Sequence, residues 1–273
     1  MQCVRRQKAI WGRKARAAMA IIVFLLLSGT CFASEPVPMQ ELLQRTGKLV
    51  EDFVSQLSGV RCKESVNQVK FEKNGKVKYK ADSAFDSLLL LRLEGDNLSV
   101  EESRQVERQS GRAQNPPLLV TSGFSTLALV FHPYYQASFE FQQLDDEALE
   151  GKRHMRVQFQ HVRGMRSPTA LQLRGQEYPL ELSGIAWIDP DTGEIAKIQA
   201  GLRSSMEDLG LKAFQSEVHY APVLFAGITK PYWLPTSAVI DVETPRQHWR
   251  NTHHFAEYRR FTVNVQISSE RKP

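Results

Sequence analysis

Apolar and polar positions along this chain fall into three regimes. Ala17 to Leu27 (AAMAIIVFLLL) is apolar without interruption. From Met39 to Leu57 the apolar residues Leu42, Leu43, Leu49, Val50, Phe53, Val54 and Leu57 recur near helical spacing, which predicts one amphipathic helix stopped by Ser58-Gly59. Gly47 in its middle weakens that helix on propensity alone. From Val60 onward the period drops toward two, the signature of strands with one buried and one wet face.

Turn chemistry divides the third regime. Val66 to Phe71 and Val77 to Tyr79 flank Lys73-Asn74-Gly75-Lys76, and Asn-Gly between strand-like runs predicts a hairpin because both residues tolerate positive φ. Ala84 to Leu93 and Leu98 to Val106 read as partners across Gly95-Asp96-Asn97, followed by an exposed loop from Glu107 to Pro117. Thr121 or Ser122 is placed to cap a short helix over Phe124 to Phe131, which His132-Pro133 would end.

Alternation then resumes through Phe139 and Phe141, and through Met155, Val157, Phe159 and His161. Ile185 to Ile188 and Glu194 to Gln199 flank Asp189-Pro190-Asp191-Thr192-Gly193, where Asp189 can bond back to the turn amides and Gly193 can take the left-handed position. Phe214 to Tyr220, Trp233 to Val242 and Phe255 to Ile267 are further strands. The expected class is α+β: a large antiparallel sheet with an N-terminal amphipathic helix and one or two short covering helices. Arg163 to Ser183 is the longest irregular stretch, expected to be a lid, a rim or mobile.

The N-terminus changes the charge picture. Arg5, Arg6, Lys8, Arg13, Lys14 and Arg16 precede the apolar run with no acidic residue, and small residues follow it, as in a cleavable secretory signal peptide. The run is shorter than the roughly 20 residues a membrane-spanning helix needs. Cleavage after Ala33 is expected, leaving residues 34–273 as one β-rich domain in the periplasm or outside the cell. Lipidation at Cys31 is the lesser reading, since Thr30 is poorly suited to precede a lipobox cysteine. Of 35 Lys+Arg, six lie in residues 1–33, so the exported part carries 35 − 6 = 29 basic against 30 acidic residues. A nucleic-acid partner, which needs a basic face, is excluded on that balance.

Candidate chemistry is sparse. Cys62 is the one cysteine left after export, so no disulfide framework forms, and its alternating context reads as a small buried residue. His248, His253 and His254 match no zinc spacing and read as a polar hairpin tip beside Trp249. Asp189, Asp191 and Glu194 lack the later ligands of a calcium loop, with Ala200 where the closing Glu should stand. Glu101-Glu102 and Asp145-Asp146-Glu147 are adjacent residues that cannot converge on one bond, and no Gly-x-Ser-x-Gly elbow or phosphate loop occurs. No catalytic residue, metal site or cofactor is therefore assigned. The aromatics in strand context fill a core or line an apolar concavity; for the latter the candidates are Phe139, Phe141, Phe159, Trp187, Trp233 and Phe261.

The text from Gly184 to Ile198, with Trp187-Ile188-Asp189-Pro190-Asp191-Thr192-Gly193 at its centre, resembles the hairpin of bacterial outer-membrane lipoprotein-sorting and carrier-like proteins. Trp233-Leu234-Pro235 before a strand and the opening helix are similar too. The resemblance implies a curved, unclosed half-barrel covered by helices, whose cavity takes a lipid or a lipoprotein acyl chain. Leu57 to Glu64 (LSGVRCKE) also resembles secreted bacterial proteins of unknown function, which supplies no mechanism. The leading expectation is an exported carrier that binds an apolar ligand without chemistry, its partner a lipid or lipoprotein. The rival is a structural or interaction domain with a filled core and an envelope protein partner; an envelope hydrolase stands third.

Overall fold

The computed structural model describes residues 37–57, 59–94, 97–110, 123–173 and 175–261. The proposed signal peptide, the caps at Thr121 and Ser122 and the strand continuation beyond Phe261 lie outside them. The first element among the described residues is the predicted helix, α1 (Met39–Leu57), which buries Leu42, Val50, Phe53 and Leu57. Thirteen strands follow among the described residues: β1 (Val60–Phe71), β2 (Val77–Glu94), β3 (Asn97–Ser110), β4 (Phe139–Gln143), β5 (Glu147–Leu149), β6 (Lys152–His161), β7 (Ala170–Leu173), β8 (Gln176–Pro179), β9 (Leu182–Ile188), β10 (Ile195–Leu202), β11 (Ala213–Val223), β12 (Tyr232–Glu243) and β13 (His248–Arg260).

Eleven of them form one unclosed antiparallel sheet, ordered β3-β2-β1-β13-β12-β11-β10-β9-β6-β4, with β5 paired to β6. Neighbours in sequence are mostly neighbours in space. Among the exceptions, the chain's return brings β13 against β1 and joins the two halves of the sheet, β6 pairs with β9, and the consecutive strands β3 and β4 lie at opposite ends. Register shifts in the pairings of β1 with β13, β1 with β2, β2 with β3, β9 with β10 and β11 with β12 bend and twist the strands, as bulges do.

One face is covered by α1, by a 3-10 helix (Phe124–Phe131) and by the single-turn α2 (Pro133–Gln136). The helix over Phe124–Phe131 ends at His132 as expected, and Pro133 also starts the next one. His132 caps α2 through Nδ1, which accepts from the Tyr134 N–H at 3.1 Å. Gly47 finds its reason here. A Cβ would stand 2.8 Å from Gln136 Nε2 and 3.2 Å from the Phe131 carbonyl, so only glycine lets α1 approach this segment while Gln136 donates to the Leu43 and Phe131 carbonyls.

The hairpin β9–β10 forms as its text predicts. Asp189 accepts from the Asp191 and Thr192 amides at 2.8 and 3.0 Å, and Gly193 has φ +82. The turn docks on α1, where the Thr46 hydroxyl donates to the Gly193 carbonyl and Arg45 donates to the Pro190 and Asp191 carbonyls.

Four expectations are corrected. Val77 to Tyr79 and Ala84 to Leu93 belong to one 18-residue strand, because the polar residues between them (Lys80, Asp82) take the outer face without breaking the ladder. Pairing of residues 108–110 with β2, past a bulge at Glu107, holds this part of the expected loop within β3. Residues 170–173 and 176–179 pair antiparallel inside the stretch expected to be irregular, and Ser183 already lies in β9. The segment His248 to His254 is no hairpin tip: it is strand, paired on both sides, with the tip displaced to residues 244–247.

Candidate functional site

The inner face of the sheet has two chemistries. Under the 3-10 helix, β6, β9, β10, β11 and β12 turn Met155, Val157, Phe159, Ile188, Ile198, Val218 and Ile240 inward, each at most 1 % exposed. At the joint with β13, the alternation Val60, Cys62, Glu64, Val66, Gln68 along β1 places a carboxylate and an amide in the same buried row.

Glu64 organises this second region. Its side chain is fully buried, and its carboxylate accepts from Arg104 Nε at 2.7 Å, Arg104 Nη2 at 3.1 Å, His253 Nδ1 at 2.7 Å and the Ser87 hydroxyl. Register explains the convergence. Phe85 and Phe255 lie directly opposite Glu64, and His253 lies opposite Val66 and Ser87 opposite Cys62, each one diagonal step from the carboxylate, while Arg104, opposite Ser87, reaches the same face from one strand further away. Arg104 continues to Glu102 Oε2 at 2.8 Å, and Glu102 Oε1 accepts from the Gly123 N–H that opens the 3-10 helix. The polar row extends to Gln68, which donates to Asn251 at 2.9 Å. Burial alone would raise the Glu64 carboxyl; the hydrogen bonds from His253, Arg104 and Ser87 outweigh it and hold the group at about 2.

A cleft of about 20 Å³ opens above this cluster where α1 ends. Leu57, Val60, Pro235, Phe255 and Tyr258 supply apolar wall, with Glu64 and Arg104 on the floor. Phe85 and Phe255 are half-buried, and Val106 on β3 is 57 % exposed. Tyr258 donates to the Pro235 carbonyl at 2.6 Å. Burial first, then the Glu64 carboxylate, pushes the Cys62 thiol up to about 12, and burial raises Tyr258 well above the usual phenol range. Near neutral pH the thiol is protonated, the phenol is protonated and Glu64 is ionised. These groups therefore offer neither a thiolate nucleophile nor a carboxylic acid. Among the described residues no group of three or more His, Cys, Asp or Glu is arranged to hold a metal ion.

The six aromatics proposed from the sequence separate. Phe139, Phe141 and Phe159 meet in one cluster with Phe131 of the 3-10 helix, ring centroids 5.3 to 6.3 Å apart, and Phe159 is fully buried. Trp187 alternates to the opposite face from Ala186 and Ile188, where the Lys197 ammonium lies 3.7 Å above its ring. Trp233 sits beneath α1 and donates to the Ile195 carbonyl at 2.6 Å. Phe261 follows β13, its amide donating to the Gly59 carbonyl. The cluster around Glu64 was not foreseen. The available signal was a carboxylate at an inward position of an otherwise apolar alternation, with a histidine at the matching parity of the closing strand.

No family model matches the chain, and no curated protein matches it. Among solved structures it is similar to a LolA superfamily protein from Nitrosomonas europaea, at 9 % identity and TM-score 0.40, covering 81 % of this chain and 94 % of that one. It is similar to a DUF1329 family protein from Desulfovibrio piger, at 13 % identity and TM-score 0.39, over 85 % and 96 %. An outer-membrane lipoprotein-sorting protein domain from Vibrio parahaemolyticus follows at 10 % identity and TM-score 0.38, over 82 % and 95 %. These include the lipoprotein-sorting proteins that the β9–β10 hairpin resembles. At these scores the likeness carries no weight for function, which has to be read from the residues themselves.

Proposed function

We propose that this is an exported, carrier-like protein that binds an apolar or amphipathic ligand, a lipid or acyl chain, without performing chemistry on it. One observation carries the reading: the cleft at the end of α1, where Leu57, Val60 and Phe255 form an apolar wall above the buried charges of Glu64 and Arg104. Apolar walls with a few fixed polar groups are the usual make-up of a small-molecule site. About 20 Å³ holds one water-sized body, so uptake of a chain requires the end of α1 to move away from β1. The exported setting is supported by the basic, then apolar, then small-residue order of residues 1–33.

A second reading has its own observation. The half of the sheet beneath the 3-10 helix is filled, with Phe131 and Phe159 fully buried, as in a domain whose aromatics serve only stability while an edge or loop meets an envelope protein.

Native mass spectrometry of the protein purified from its export compartment separates the two. The carrier reading expects a reproducible lipid-mass adduct that denaturing extraction releases. A bare chain mass that stays unchanged after incubation with envelope lipids would overturn it and leave the interaction domain.

A further inference from the structure

The two ends of the sheet differ in length. At one end β4 offers five residues, with the three-residue β5 beside it. At the other, β3 runs for 14 residues, and among the described residues no strand flanks its outer side. An edge of that length presents a row of backbone N–H and C=O groups to any second strand, and Val106 on it is 57 % exposed.

We propose that β3 pairs antiparallel with β3 of a second copy of this chain, across a two-fold axis normal to the sheet and centred on Ser103. An antiparallel pair of identical edge strands is related by such an axis, and the residue on the axis then meets itself. That requirement discriminates among registers. An axis at residue 101, 102 or 104 sets Glu against Glu, Glu against Glu, or Arg against Arg. An axis at Gln105 draws in the stretch where pairing with β2 slips between Ala84 and Phe85, leaving Glu107 as the extra residue.

With Ser103 on the axis, Glu102 of each copy opposes Arg104 of the other, Gln105 opposes position 101, and Val106 opposes position 100. No like charges meet, and opposite charges directly across a ladder favour pairing. The Glu102 to Arg104 contact of 2.8 Å within each chain thus acquires a two-fold-related neighbour. The contact uses one patch on both copies, so it closes as a dimer and does not propagate. The short opposite edge cannot supply a partner of matching length.

Ser103 is exposed, so it accepts substitution without disturbing the core. Sedimentation of the purified protein should give twice the chain mass. Ser103→Cys should cross-link to itself through a short bismaleimide, since Cys62 is buried. Ser103→Glu, which sets two carboxylates face to face on the axis, should shift the mass to that of the monomer with an unchanged circular dichroism spectrum. A wild-type protein that stays monomeric at every concentration overturns the proposal. So does a dimer that Ser103→Glu leaves intact and that Ser103→Cys fails to trap.

Discussion

The two halves of the sheet's inner face solve the same problem in opposite ways. From β6 to β12 the inward residues are mostly aliphatic or aromatic, with His161 and Ser216 buried among them, and the 3-10 helix seals them, so stability comes chiefly from dispersion and water removal. At β1 and β13 the inward row carries Glu64, Gln68, Asn251 and His253, and stability there depends on each polar group finding its partner. The first arrangement tolerates conservative change of shape but not loss of volume. The second does not tolerate loss of one charge, because removing a single partner leaves the others buried and uncompensated. A protein that needs one rigid half and one adaptable half would be divided this way.

The largest expected effect lies in the filled half. Phe159→Ala removes the ring that packs edge-on to both Phe131 and Phe139 and should cost about 3–5 kcal/mol, read as a lower urea midpoint. If the loss is below about 1 kcal/mol, that half is not close-packed and the contrast fails.

Glu64→Gln comes next and tests the polar half by pH. A carboxyl held at about 2, against an ordinary value of 4.5, contributes roughly 3 kcal/mol at neutral pH. Because the folded value is depressed, that contribution is complete above 4.5 and drains as pH falls toward 2. The variant should therefore be about 3 kcal/mol less stable at pH 7 and should converge on the wild type in acid. A pH-independent difference would mean that packing, not charge, is what Glu64 supplies.

Gly47→Ala is a smaller test, and its sign is informative. Helix propensity alone favours alanine by about 1 kcal/mol. Contacts at 2.8 and 3.2 Å oppose it, and a net loss of about 1 kcal/mol in thermal unfolding is expected. A gain would show that α1 and α2 are not held as closely as described.

Cys62 should show the smallest effect. Its thiol, pushed up to about 12, should react with a maleimide only as the protein unfolds, and Cys62→Ala should leave the acid profile of Glu64 in place.

How much of this was legible in the sequence follows from which forces are local. The helix from Met39 to Leu57, the Asn74-Gly75 turn, in which only Gly75 takes positive φ, and the Asp189 to Glu194 turn are written in periodicity and turn chemistry, and they form where expected. The Glu64 cluster joins residues 40 and 189 positions apart, so no window along the chain contains it. It depends on β13 returning to β1, a pairing that two strands of similar alternation cannot announce. The histidines misled for the same reason. His253 and His254 look alike in a polar run, but only the closing register decides that His253 turns inward to Glu64 while His254 stays exposed. The aromatics pose a different problem, since a phenylalanine facing a core and one facing an open cavity leave the same alternation behind.

The central claim is that the adaptable half, not the filled one, takes up ligand. A diazirine-bearing acyl probe, photolysed on the intact protein and mapped by peptide mass spectrometry, addresses it directly. The account predicts label on the segments around Leu57 to Glu64 and Phe255 to Tyr258, lost in Phe255→Asp. Label concentrated on Leu127 to Phe131 and Phe159, and unchanged by Phe255→Asp, would contradict it.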